Sequence, residues 1–341
     1  MTVTEPVKIY KLPQSKYIDN VRWLPPLSAF DCLYALAVFD SDTNTPSLEI
    51  HSITKPNPQK PELHSTWLSP SRISSLRVSN SLIAAATYGG SLHFLVPDSA
   101  EGLVESGREN ELHTGGIASV DLMEGECVSV GEDGRVNVVR VRDGLELTGV
   151  FDSHGLAAYS AVKWASPTEF VTGGYGFGLQ WWDQRKPGGP VFKFKANWVH
   201  GANSGIVHSV DIHPSRKHTC LAGGSAGTIF AWDLRWPQQH IFLSGVGMNE
   251  STTHSPCESE VWEIQYDVYM QSSNIKASSA WILPVMSCSE DGILAVVEQG
   301  EEPIELLAEP CAINGFDIDK QNPSDVICSL EWESVAILTR P

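Results

Sequence analysis

Apolar residues in this chain come in short runs bounded by polar turns, as in LYALAVFD (33–40), SLEIHSI (47–53), DVICSLEW (325–332) and SVAILTR (334–340). Runs of that length, rich in Val, Ile and aromatic residues and punctuated by Gly, Asp and Pro, predict β-strands. VKIYKLP (7–13) alternates apolar and polar residues and predicts a strand with one buried face. Two longer segments are near copies: TGGYGFGLQWWDQR, ending at Arg185, and AGGSAGTIFAWDLR, ending at Arg235. Each opens on a strand of small residues, passes a Gly turn and closes a second strand on Trp-Asp. A repeated strand-turn-strand unit cannot bury its apolar faces alone, so the units must stack on one another.

The tight turns Tyr88-Gly89-Gly90, Glu132-Asp133-Gly134, Gly174-Tyr175-Gly176, Ser225-Ala226-Gly227 and Glu290-Asp291-Gly292 mark five units. With Gly89, Asp133, Gly176, Ala226 and Asp291 equivalent, the spacings are 44, 43, 50 and 65 residues, the last lengthened by an insertion. One more unit fits ahead of Gly89, with NVRWLPP (20–26) as its inner strand, and one after Asp291, beginning at INGFDID (313–319). The last unit ends one strand short, and the 7–13 segment can supply that strand. The fold class predicted is therefore all-β, a seven-bladed β-propeller closed by its N-terminal strand, in one domain over 1–341. Closure removes the unpaired edges that an open sheet would expose. Two stretches are expected to be inserted loops: the Pro-rich 54–70 after blade one, and 244–281, which enters and interrupts blade six.

The pattern resembles the WD40 family over nearly the whole chain. In that family a blade is often tied by a loop His, a Ser or Thr on the second strand, the turn Asp and the Trp of the third strand. Here His113, Ser129 and Asp133 match in blade three, where Val139 takes the Trp position. Blades four and five keep Trp182-Asp183 and Trp232-Asp233 but have Gly176 and Ala226 at the turn, and Asp291 in blade six faces Val297. Each blade lacks some hydrogen bonds of about 1 kcal/mol apiece, which packing must offset.

Charge narrows the partners. With 41 Asp and Glu against 23 Lys and Arg, the net charge of −18 argues against nucleic acid or an anionic membrane as a direct partner. The N-terminus lacks an apolar signal segment, and no run reaches the ~20 apolar residues of a spanning helix. The seven cysteines are scattered without CxxC spacing, which predicts neither a disulfide framework nor a zinc site and favours a reducing compartment. The sequon at Asn249 is then incidental.

Candidate chemistry is thin. His208, His213 and His218 recur every five residues, which puts them on opposite faces of a strand, and they are expected to be solvated loop residues rather than ligands. GGYGFG (173–178) lacks the Lys-Ser/Thr of a phosphate loop and reads as a hairpin turn. GxSxG and HExxH are absent. The acidic pairs Glu301-Glu302 and Asp317/Asp319 are expected on solvated turns or strand ends. No enzyme activity, cofactor, metal or small-molecule substrate is expected.

Motifs KIYKLP, VRWLPP, ATYGGSLHFL, HTGGIASVDL, GEDGRVNVVRV, AVKWASPTEFVTGG and HSVDIHPSRKHTCLAGGSAGTIFAWDLR, taken in order, are similar to WD40 nucleoporins of the Y-shaped outer scaffold of the nuclear pore. That resemblance implies a non-enzymatic scaffold subunit at the nuclear envelope. It would dock beside an α-solenoid nucleoporin and other Y-complex subunits, supporting transport of protein and mRNA. The single Phe-Gly pair, Phe177-Gly178, sits in a predicted hairpin, so no FG-repeat segment is present. A competing reading comes from the two Trp-Asp-x-Arg endings: Arg185 and Arg235 could dock a cullin-RING ligase adaptor, making the chain a substrate receptor.

Overall fold

The computed structural model describes residues 6–26, 31–54, 57–98, 102–141, 144–176, 178–195, 205–227, 229–233, 240–244, 257–269, 282–299 and 301–341. It is all-β, with seven four-stranded sheets arranged as a seven-bladed β-propeller. Strand β1 (Lys8–Pro13) comes first in the chain. Blade one is β2 (Tyr17–Leu24), β3 (Asp31–Asp40), β4 (Thr45–Thr54) and β5 (Asn57–Leu68). Blade two is β6 (Ile73–Ser79), β7 (Leu82–Thr87), β8 (Leu92–Asp98) and β9 (Gly102–Glu109), and blade three β10 (Ile117–Met123), β11 (Glu126–Gly131), β12 (Arg135–Val141) and β13 (Leu145–Asp152). Blade four is β14 (Tyr159–Ser166), β15 (Glu169–Gly174), β16 (Gly178–Asp183) and β17 (Phe192–Lys195), and blade five β18 (Val207–Ile212), β19 (Thr219–Gly224), β20 (Ile229–Asp233) and β21 (His240–Ser244). Blade six is β22 (Val261–Tyr266), β23 (Val285–Ser289), β24 (Ile293–Val297) and β25 (Ile304–Ala308). Blade seven is β26 (Ile313–Ile318), β27 (Asp325–Leu330) and β28 (Ser334–Thr339), completed by β1. Strand β1 runs antiparallel to β28, from Lys8 opposite Thr339 to Pro13 opposite Ser334, so the first strand closes the last sheet as the sequence predicts.

The hairpins between second and third strands centre where the turn alignment puts them. Ala86 pairs with Leu92, Gly173 with Leu179, Gly223 with Ile229 and Cys288 with Leu294, which makes Gly89, Gly176, Ala226 and Asp291 the midpoints. One expectation is corrected. The Pro-rich 54–70 stretch is not an inserted loop, because most of it forms β5, paired with β4 from Ser47–Leu68 to Thr54–Asn57. A proline removes a strand donor, but β5 is the outer strand of its sheet, where one side of the backbone needs no partner. Within 244–281, Ser244 ends β21 and Val261–Tyr266 is β22, while 245–256 and 270–281 lie outside the described residues.

By contact the chain divides into two compact units, one of residues 1–127, 139–146 and 314–341, the other of 128–138 and 147–313. In the first, apolar clusters fill the spaces between successive sheets. Tyr34, Leu36 and Val21 pack with Ile327 and Ile337, and Leu48 and Ala35 pack with Leu76 and Ile83. In the second, Val171, Trp181 and Phe194 meet Val210, Phe230 and Trp232, while Leu221 and Ala231 meet Val261 and Ile264. Each fully buried side chain of this kind contributes roughly 1.5–3 kcal/mol. The small residues of the second strands follow from this packing. A Cβ on Gly173 would lie 2.5 Å from Val207 Cγ1, and one on Gly223 2.8 Å from Ile264 Cγ2, so the next sheet's inner strand occupies the space a larger residue would need.

Inner strands are joined by polar groups. Val120 N–H donates to Ser75 Oγ (3.3 Å), Ile264 N–H to Ser209 Oγ (3.2 Å), Tyr266 N–H to Asp211 Oδ2 (2.9 Å) and Trp23 N–H to Asp317 Oδ2 (2.8 Å). Arg22, only 6% exposed, donates to the carbonyls of Val21, Leu76 and Phe316. Asp317 therefore corrects the expectation of a solvated carboxylate: it is half-buried and holds a neighbouring blade's backbone.

Gly90 has φ +81°, and a Cβ there would press on the carbonyls of His113 and, at 2.7 Å, Gly115. Gly90→Ala should lower the unfolding free energy by about 2 kcal/mol or more, since strain and overlap add. Gly144→Ala, where a Cβ meets nothing within 4 Å, should stay within about 0.5 kcal/mol of wild type. Urea unfolding of both variants measures the contrast.

Candidate functional site

The WD40 positions are spread over blades three to six and do not converge on one centre. In blade four, Trp182 Nε1 donates to Thr172 Oγ1 at 3.0 Å, both side chains fully buried. The indole stacks on Phe170 (5.8 Å, 12°) and meets Tyr159 edge-on. Thr172 is absent from the residues singled out in the sequence, yet the signal is there: it precedes the turn centre Gly176 by the interval that separates Ser129 from Asp133. Trp232 is also buried and packs edge-to-face on Phe230 at 4.3 Å. Asp233 ends β20 opposite Thr219. In blade three Ser129 is fully buried, and Asp133 Oδ1 accepts the Arg135 N–H at 3.1 Å. His113 is buried in the connection from β9 to β10, where its backbone N–H donates to Gly90 O. Asp291 accepts the Ser289 hydroxyl and the Glu258 N–H, bracing the entry to blade six.

Blade two carries a polar chain that the sequence reading missed. Thr87 Oγ1 meets Ser91 Oγ (2.8 Å), Ser91 Oγ meets His93 Nε2 (2.8 Å), and His93 Nδ1 meets Glu105 Oε1 (2.6 Å). The Ser-His-acid order is that of a hydrolase, but the setting is not. The Ser91 hydroxyl is shared with Thr87 inside a hairpin, and His93 is 1% exposed under Trp67, so no reacting carbonyl can approach within ~3 Å. The chain acts as internal bracing. Blade one has a counterpart: Lys16 Nζ lies 2.7 Å and His51 Nε2 2.9 Å from Glu49, and His51 with Lys16 holds the Glu49 carboxyl below its ordinary range.

The histidine expectation is corrected too. His208 lies on β18, half-buried, with Nε2 2.9 Å from Glu260, and His213 is 4% exposed against the Tyr266 ring. Burial, with Arg216 nearby, pushes the His213 pKa down to about 4. His218 tilts over Trp181 at 6.5 Å. The three point to different neighbours, and among the described residues no group of three or more His, Cys, Asp or Glu is placed to hold a metal. All seven cysteines are buried free thiols, and burial pushes the Cys220 thiol up to about 12, which keeps that one protonated at neutral pH. No helix among the described residues is long and apolar enough to cross a membrane.

One pocket of about 230 Å³ opens on blades four and five, lined by Glu169, Trp181, Asp183, Lys186, Phe192 and His218 among others. Arg185 folds back beside it. Its guanidinium grips Asp183 through Nε–Oδ1 (2.8 Å) and Nη2–Oδ2 (2.9 Å), which holds the Asp183 carboxyl low, and Glu169 lies 3.7 Å away. Arg235 lies outside the described residues.

No family model matches the chain. A nuclear pore complex protein, NUP43 of Arabidopsis thaliana, is 58% identical over an alignment of 357 positions that covers 98% of each chain. The chain belongs to the Nup43 family of nucleoporins. Nucleoporin Nup43 of mouse and of human align at 30% and 29% over 172 positions, half of this chain and 38% of theirs. Within the Nup43 family, then, the plant protein is similar across all seven blades and the animal proteins over part of the chain.

Thr172→Val leaves the Trp182 indole N–H buried without its acceptor and should cost about 1–3 kcal/mol. Trp182→Phe removes the donor and aromatic area together. The double variant should cost less than the two singles summed, and urea unfolding of the three variants closes the cycle. For His213, the unfolded imidazole takes its proton near 6.5 and the folded one only near 4. The unfolded state therefore binds more protons across that window, and stability falls as pH drops through it. His213→Gln should flatten that loss when urea midpoints are compared above pH 6.5 and near pH 4.

Proposed function

We propose that this protein is a non-enzymatic structural subunit of the nuclear pore complex. It would form one propeller domain over 1–341, docked on the Y-shaped outer scaffold beside an α-solenoid subunit and supporting passage of protein and mRNA. The observation that carries the reading is the full-length similarity to the Arabidopsis nuclear pore protein. The chemistry supports it: among the described residues the Ser91-His93-Glu105 chain is hydrogen-bonded around a buried imidazole, and the cysteines are buried. The net charge of −18 suits protein partners better than nucleic acid or anionic lipid. Propeller loops displayed on rigid sheets provide contact surfaces that need no catalytic group.

The ligase-receptor reading asks Arg185 to reach a partner, and that guanidinium is already forked onto Asp183. Tagged protein purified after mild lysis should carry scaffold nucleoporins in stoichiometric amounts and mark a rim at the nuclear envelope, unchanged by Arg185→Ala. A diffuse signal with a cullin and its adaptor, lost on Arg185→Ala, would overturn the scaffold reading.

A further inference from the structure

The pocket on blades four and five combines three features. Its floor is aromatic: Trp181 is 3% exposed, and the His218 ring leans over it at 6.5 Å. Its lip is aromatic as well, since Phe192 is 57% exposed although its neighbour Phe194 is buried in the core. A large apolar ring left in water beside a buried indole is a common mark of a contact site.

Charge selects the occupant. The two carboxylates of the pocket are already neutralised, Asp183 by the fork of Arg185 and Glu169 by Lys217 Nζ at 3.0 Å. Burial opposes ionisation of Glu169, but the hydrogen bonds from Lys217 and Ser166 prevail and keep it a carboxylate. Lys186 lines the same pocket, is exposed, and adds its charge to that of Arg185 in holding the Asp183 carboxyl low. Arg185, Lys186 and Lys217 against Glu169 and Asp183 leave a local balance of +1, in a chain whose net charge is −18. A basic segment would be repelled by Lys186 and would find both acids taken. An acidic one meets the exposed Lys186 ammonium, the third cation against two acids, beside the aromatic floor.

We propose that this pocket receives one large apolar side chain from an acidic segment of a partner protein, with a flanking carboxylate paired to Lys186. The site would be a docking point for the assembly, and this rests on the scaffold reading above.

Two labelled peptides serve as probes, each with a central Leu-Phe anchor, one flanked by Asp and Glu and the other by Lys and Arg. Fluorescence anisotropy with the full chain should show binding of the acidic peptide, weakened about tenfold by Lys186→Glu or Phe192→Ala and weakened by salt. Both substitutions are at exposed positions, and unchanged thermal unfolding confirms that the variants are folded. In cells, a folded Lys186→Glu/Phe192→Ala double variant should leave the nuclear rim that the wild type marks. Preference for the basic peptide, equal binding by the variants, or a double variant that stays at the rim overturns the pocket proposal and leaves the scaffold reading standing. Wild-type protein missing from the rim overturns the scaffold reading itself.

Discussion

The inner strand of each blade is bonded to its sheet along one edge only, and the constraint on which this fold rests is the pairing of the other edge. Backbone N–H and C=O groups shielded from water need partners, and here side chains of the adjacent blade supply them. The acceptors recur at two places in the strand. Ser75 and Ser209 stand two residues after the first apolar residue, Ile73 and Val207, while Asp211 and Asp317 stand four after Val207 and Ile313. Arg22 occupies the fourth-residue place after Ile18 and works in the opposite sense, donating to carbonyls of the inner strands on either side. Each bond crosses from one blade to the next, so it fixes the stagger between blades as well as satisfying an edge. The apolar faces can then interdigitate in one register, with Gly173 under Val207 and Gly223 under Ile264.

Much of this was legible. The turns, the blade count and the closing strand depend on local signals that survive in a single sequence: Gly where the chain must reverse, small residues where a neighbour intrudes, alternation in the 7–13 strand. What escaped depends on partners distant in the chain. Asp317 looks like any strand-end acid until Trp23, 294 residues away, is seen to donate to it. β5 escaped because proline signals a loop when strand position is unknown, although an outer strand tolerates it. Thr172 is readable from the spacing of Ser129 and Asp133, because the same interval precedes Gly176 in the next blade. His213 was misread because a His-Pro turn normally faces water, whereas Tyr266 of the next blade covers this one.

The degenerate repeats also explain how the blades hold without a shared wiring. Blade four has the threonine-tryptophan bond, blade three an Asp-capped turn, blade six an Asp accepting a serine hydroxyl, and blades one and two histidine-acid pairs. Different residues answer the same need, to satisfy buried polar groups near the hairpin or along the third strand, at about 1 kcal/mol per bond. A chain that solves one problem several ways keeps its fold while losing the letters by which a repeat is recognised.

Function follows from where the polar groups end up. The Ser91-His93-Glu105 chain is hydrogen-bonded within blade two, and the seven thiols are buried. Among the described residues, groups left facing solvent include ion-paired carboxylates, lysines and aromatic edges such as Phe192, which can recognise a surface. Rigidity sharpens that recognition, because a side chain presented from paired strands loses little further freedom when a partner docks. The same bonds that satisfy the inner edges therefore serve the outer surface, by holding the sheets that display it.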